Sequence, residues 1–402
     1  MSGVAELPLH GGSVPRWMLK LMERMSGAIV EAIVELYGPG ALIRGLSDPL
    51  WFQAFNNVIG MDWDSSGSTT VLLGVLKAVT WRKPELGVLV LGGKGSKMLG
   101  VPEESVKAGE LLGLDPSSIA RFSKLAARLD SVFLQDGYTL YHHSVVASRD
   151  GVVVVQQGMN VEKGLARRYH VDRAVVEEPH SGIAGIPGQA INATASESRD
   201  ARRAYLDILA EGPSRAVRLL GEANRMLEAK PSLEDYTRGG GLKRGNLIGL
   251  KPYYYPVKPS KQILKAIEDL AKFNPTNELE LALAPSLGPK TLRALALIAD
   301  LIYRVETSTK DPVTHPPNPF IYAYAVGGKD RIPYPYDRRT AEKVILTLEE
   351  AVNKAKLGER EKLKAILKLR KLLPPTQPSK LTPEITHPYH RALAGIQAPY
   401  VI

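Results

Sequence analysis

Residues 138–147 and 152–157 are two runs rich in Tyr, Val and Ala that flank Ser148-Arg149-Asp150-Gly151, four residues of turn-forming character. This pattern predicts an antiparallel β-hairpin. What precedes the hairpin narrows the fold further. Residues 16–37 repeat apolar side chains at helical period (Trp17, Leu21, Ile29, Ile33), 68–80 reads as a second helix, and 86–91 is a short apolar strand. Helices come first and strands follow, which argues for an α+β fold rather than a doubly wound parallel sheet.

The chain has 402 residues, enough for two or three domains. Residues 1–188 form the expected mixed α/β domain carrying the hairpin. Residues 189–259 combine a helical stretch, broken near Gly212-Pro213, with a connector rich in Gly, Pro, Tyr and basic residues. Residues 260–402 are expected to be an all-α domain ending in a basic helix.

Cysteine is absent, which excludes disulfides, thiolate metal sites and cysteine nucleophiles. No run of about 18 apolar residues suits a membrane span, and no signal-peptide pattern opens the chain, so a cytoplasmic protein without a membrane partner is expected. The net charge of +10 favours an acidic partner such as nucleic acid. The charge is concentrated: residues 352–371 hold eight Lys or Arg against two Glu. Such a helix, with Lys364 and Lys368 among its cations, suits a phosphate surface.

Residues 277–303, NELELALAPSLGPKTLRALALIADLIY, read as two helices joined by the turn Pro-Ser-Leu-Gly-Pro-Lys. This resembles a helix-hairpin-helix, in which a glycine turn brings the main chain close to a phosphate and amides at the start of the second helix face the anion. Gly288, Lys290 and Thr291 take those positions. Ser286 replaces the first glycine of the usual pair. The connector 237–261 interleaves Arg238, Lys243 and Arg244 with three tyrosines, Tyr254 among them, as suits a loop laid along nucleic acid with rings available for stacking. Lys329 and Arg338 add cations further on.

Several segments together, ELPLHGG, SDPLWFQAFNNVIGMDWDSSGSTT, LQDGYTLYHH, VVQQGMN, VEEPHS and GGKDRIPYPYDR, resemble an archaeal and bacterial family catalogued as domain-of-unknown-function family 763. The resemblance covers nearly the whole chain and implies no activity.

Two chemistries are compatible with these residues. In the helix-hairpin-helix DNA glycosylase and lyase family, the hairpin carries a lysine that attacks C1′ of the sugar, and a later aspartate stabilises charge on the ring. By that resemblance Lys290 is the nucleophile. Ser308 stands at the usual aspartate spacing, leaving Asp311 or, better placed as an N-cap, Asp337. This chemistry needs no cofactor. The alternative is a nuclease using Mg²⁺ or Mn²⁺ in the N-terminal domain, with ligands among Asp62, Asp64, Asp136, His142 and Glu178. A nucleotide loop at GGKGSK is disfavoured, because Val88 stands where the first Walker glycine belongs and Gly95 where Ser or Thr belongs. The combined expectation is a DNA-binding protein of genome maintenance, DNA being favoured over RNA. It is expected to process DNA as a glycosylase or lyase, with the metal nuclease and a non-catalytic binding module as alternatives.

Overall fold

The computed structural model describes residues 14–61, 66–227, 247–315, 336–339, 341–342 and 344–346. Asp62, Asp64, Arg238, Lys243, Arg244, Lys329, Lys364 and Lys368, and with them the basic run 352–371, lie outside the described residues.

The fold is α+β and its sheets are antiparallel. The larger sheet has the order β1-β3-β4-β5-β6, built from Val88–Lys94, Thr139–Ser148, Gly151–Asn160, Leu165–Val171 and His180–Ala184. Its centre is the expected hairpin. β3 and β4 pair from Thr139↔Met159 to Ser148↔Gly151 around a two-residue loop. Both loop side chains are anchored: Arg149 Nε donates to Leu112 O at 2.6 Å, and Asp150 Oδ2 accepts from Gly40 N at 2.9 Å. Helices on opposite faces of the sheet are thereby tied to one turn.

Alternation along the strands divides the apolar residues between two layers. Val88, Val90, Val146, Val153 and Val155 face α1 (Arg16–Tyr37), α2 (Pro39–Ser47), α3 (Pro49–Ile59) and α4 (Gly67–Arg82). Leu89, Leu91, Val145, Ala147 and Val154 face α5 (Val101–Leu112) and α6 (Pro116–Arg128). A sheet covered on both sides reads as near-continuous apolar runs, as β1 and β4 do. Local chemistry sets the helix ends. Asp48 accepts from Leu50 N and Trp51 N ahead of Pro49 at the start of α3, and Asp115 does the same for Ser117 N and Ser118 N ahead of Pro116 in α6.

The remaining helices form a second core. α7 (Arg199–Ala210), α8 (Pro213–Leu227), α9 (Lys261–Phe273), α10 (Glu278–Leu283) and α11 (Pro289–Leu301) pack together, with α11 buried along most of its length. α6 links the two cores. Ile119, Phe122 and Ala126 face the sheet, while Leu125 and the π-helical turn Leu129–Phe133 that follows face the helices. The C-terminal region, expected to be all-helical, also holds one short strand. β8 (Ser308–Lys310) joins β2 (Leu134–Gln135) and β7 (Gln189–Asn192) in a small sheet ordered β2-β7-β8. No single helix among the described residues is long and apolar enough to cross a membrane.

Candidate nucleic-acid interface

α10 and α11 are joined by residues 284–288. At the entry to α10 the Asn277 side chain accepts from Glu280 N at 2.9 Å, and the Glu280 carboxylate reaches back to Thr276 N at 2.8 Å, a reciprocal cap. Leu287 is fully buried and roots the turn in the helical core. Gly288 is the N-cap of α11, and Pro289 occupies its first position, where a missing N–H costs nothing.

The turn is polarised by one side chain. Arg128, at the end of α6, donates Nε to Ala282 O at 2.9 Å and Nη2 to both Ala284 O, at 2.9 Å, and Leu287 O. Gln135 Nε2 donates to Pro289 O at 2.9 Å. The carbonyl side of the turn is therefore occupied from within the protein. The amide side is not: the amides of Lys290 and Thr291 belong to the first turn of the helix, which leaves N–H groups without intrahelical acceptors. Among the described residues no side chain caps α11, Thr291 is buried, and Leu292 N donates to Gly288 O at 2.9 Å. Gly288 has an ordinary extended backbone with φ −112°, and a Cβ there would meet no atom within 4 Å. The fold itself does not require glycine at this position. Lys290 is exposed, and among the described residues no carboxylate lies within 4 Å of its amine. Arg121 and Lys124, both exposed, stand on α6, against which α10 packs.

Other residues singled out from the sequence are placed elsewhere. Tyr254 is not available for base stacking: it is buried in the helical core, and its hydroxyl donates to Asp300 Oδ2 at 2.8 Å. Tyr253 and Lys251 donate to the same oxygen, at 2.8 and 2.7 Å, so one acid draws this part of the connector inward. Burial, then the Asp300 bond, pushes the Tyr254 phenol up to about 12. Asp311 is paired with Arg167, and Lys290 has no carboxylate partner among the described residues. The Asp311 pairing is bidentate, at 3.1 and 2.8 Å, and the carboxylate also accepts from Gly188 N at 2.7 Å. Asp337 caps its own helix by accepting from Arg339 N at 3.0 Å, while the adjoining Tyr336 packs edge-on against Trp17 of α1 at 5.9 Å. Lys290 and Asp337 thus stand against different cores and make no ion pair with each other. Arg338 pairs with Glu342 at 2.9 Å and lies over Trp17.

Of the metal candidates, Asp136, His142 and Glu178 are described, and each has partners of its own. Asp136 accepts from Arg167 and Tyr169, both at 2.7 Å. Glu178 accepts from Ser196 N at 2.9 Å, and His142 Nε2 contacts Ser144 Oγ at 2.9 Å. Burial lowers the His142 imidazole to about 3, with His143, Lys94 and Lys77 adding to the effect. Among the described residues no three His, Asp or Glu form a group able to hold a metal ion.

The sequence reading missed a polar seam inside the large sheet. On one face His143, Gln156 and Tyr169 line up across β3, β4 and β5; on the other stand His142, Gln157 and Arg168. His143 bridges Ser123 of α6 and Gln156, while Gln156 and His180 meet at Asp130 in the π-helical turn. Burial pushes the His143 imidazole below its usual value, opposed by Gln156 and Asp130. Across the sheet, both amide atoms of Gln157 and Nδ1 of His142 are buried without a hydrogen-bond partner among the described residues. Adjacent polar residues on a strand, as in His142-His143 and Gln156-Gln157, are the one sequence signal of such a seam, since neighbours must face opposite layers.

No curated protein and no solved structure matches the chain. A family model does: residues 3–336 match the one described as protein of unknown function (DUF763), and the chain belongs to that family.

Proposed function

We propose that the chain is a DNA-binding protein of genome maintenance that grips the phosphate backbone with the turn between α10 and α11, used as a helix-hairpin-helix. The supporting observation is the polarity of that turn. Arg128 occupies the carbonyls of Ala282, Ala284 and Leu287, while no side-chain cap among the described residues takes the amides at the start of α11, where Lys290 is exposed and Thr291 is buried. Free amides at the positive end of a helix, an approachable glycine and a cation together suit a phosphate. The net charge of +10 favours the same partner.

Binding is preferred over lyase chemistry at this turn. A lyase needs an acid beside its lysine, and Asp311 and Asp337 are both committed elsewhere. Borohydride trapping on abasic duplex separates the two: binding alone gives no covalent adduct, and an adduct lost in Lys290→Ala establishes the lyase. The clamp itself is tested by duplex affinity measured across a salt series. Wild type is expected to weaken steeply with salt, and Lys290→Ala to reduce the slope of log K against log salt by about one. An unchanged slope removes Lys290 from the interface.

A further inference from the structure

Ser123 lies within α6, where a serine hydroxyl ordinarily donates back to a carbonyl one turn earlier. Ser105 in α5 does so, to Val101 O at 2.7 Å, and Ser131 does so to Ala127 O at 2.6 Å. Ser123 does not. Its Oγ lies 2.7 Å from His143 Nε2, across the gap between helix and sheet.

The far side of that imidazole is fixed. His143 Nδ1 lies 2.7 Å from Gln156 Oε1. The orientation of the Gln156 amide follows from its other end, where the nitrogen meets two acceptors, Ala126 O at 3.1 Å and Asp130 Oδ2 at 2.5 Å. Gln156 Oε1 must then accept, which places the proton on His143 Nδ1 and leaves the Nε2 lone pair facing the Ser123 hydroxyl. Asp130 is itself held by His180 Nε2 at 2.6 Å. A hydroxyl, a base in the right tautomer and a group that orients the base are the three parts of an activated nucleophile.

The pair opens onto a space. Ser123 and His143 both line a cavity of about 550 Å³ between α6, the segment before α5 and the end of α10. Most of its wall is apolar, with Leu99, Val101, Leu140 and Leu283 among the lining residues, and the cations on it are Arg121 and Lys124. A wall of this kind takes an apolar acyl chain, and the two cations suit an anionic group at the mouth and the oxyanion formed during attack.

We infer that Ser123 and His143 are the nucleophile and general base of an acyl-ester hydrolase site, whose substrates carry an apolar acyl chain. Ser123 Oγ attacks the carbonyl carbon while its proton passes to His143 Nε2. The ester C–O bond then breaks and the alcohol leaves with that proton. Water attacks the acyl-serine and gives a proton to Nε2, the carboxylic acid departs, and the proton returns to Oγ. The site does not depend on nucleic-acid binding.

The test uses the full chain and an alkyl fluorophosphonate, followed by intact mass and peptide mapping. One adduct per chain is expected, on Ser123, absent in Ser123→Ala and formed at least about 100-fold more slowly in His143→Gln, the loss typical of removing a general base. Hydrolysis of p-nitrophenyl octanoate should fall in parallel. Mapping on the wild-type protein decides the matter even if a variant fails to fold. No adduct on wild type, or an adduct at another residue, overturns the assignment.

Discussion

The turn between α10 and α11 and the polar seam of the large sheet handle polar groups in opposite ways. The turn satisfies its carbonyls through Arg128, and no side chain among the described residues caps its amides. In the seam, carboxylates, imidazoles and guanidinium groups are buried and mostly answer one another, and the seam continues from Tyr169 to Asp136 and Arg167, each 1% exposed at the side chain and 2.7 Å apart. The difference shows where binding and where stability reside. An open donor set costs little while water solvates it and is available to a ligand, whereas a buried charge must find its partner within the fold.

The largest effect should come from removing a charge in the seam. Arg167→Ala leaves Asp136 and Asp311 buried without their common cation, and a loss of about 3–5 kcal/mol is expected by chemical denaturation. A loss under about 1 kcal/mol would mean that water already reaches these groups, and the contrast with the turn would collapse.

Next is Arg128→Ala, which crosses the two regions because a half-buried guanidinium holds the exposed turn. Three carbonyls lose their donor, and about 2 kcal/mol of stability should be lost together with most duplex affinity. Retained affinity would show that the turn keeps its shape without the clamp. Asn277→Ala removes the α10 cap and should cost about 1 kcal/mol, read as a lower Tm, with a smaller effect on binding than Arg128→Ala.

The smallest change sharpens the other side of the comparison. Gln157 is fully buried and both its amide atoms lack partners among the described residues, so Gln157→Leu, similar in size and apolar, should be neutral or stabilising by up to about 1 kcal/mol. Clear destabilisation would show that the amide is satisfied by something bound between the sheet and α3–α4.

What could be read from the sequence divides along the same line. The β3–β4 hairpin, α1, α4 and the helix–turn–helix at 277–303 follow from local period and turn residues, and all appear within a few residues of their expected bounds. Asp311 drew attention as a candidate catalyst because its partner cannot be seen locally: Arg167 lies 144 residues earlier. Tyr254 read as a stacking surface for the same reason, since Asp300, which draws it inward, is on α11. β5 resists a period reading because Arg167, Arg168 and His170 look solvent-facing in sequence, yet all three are buried. Ser123 carries no local motif. Its meaning comes from His143, twenty residues on and in a different layer.

The turn as a backbone clamp is tested most directly by measuring the duplex affinity and Tm of Gly288→Ala. The added methyl meets no protein atom within 4 Å, so the fold should hold, with Tm close to wild type. That methyl would stand between the main chain and a bound phosphate, and affinity should fall on the order of ten-fold, about 1.4 kcal/mol. Unchanged affinity in a folded Gly288→Ala protein would contradict the account.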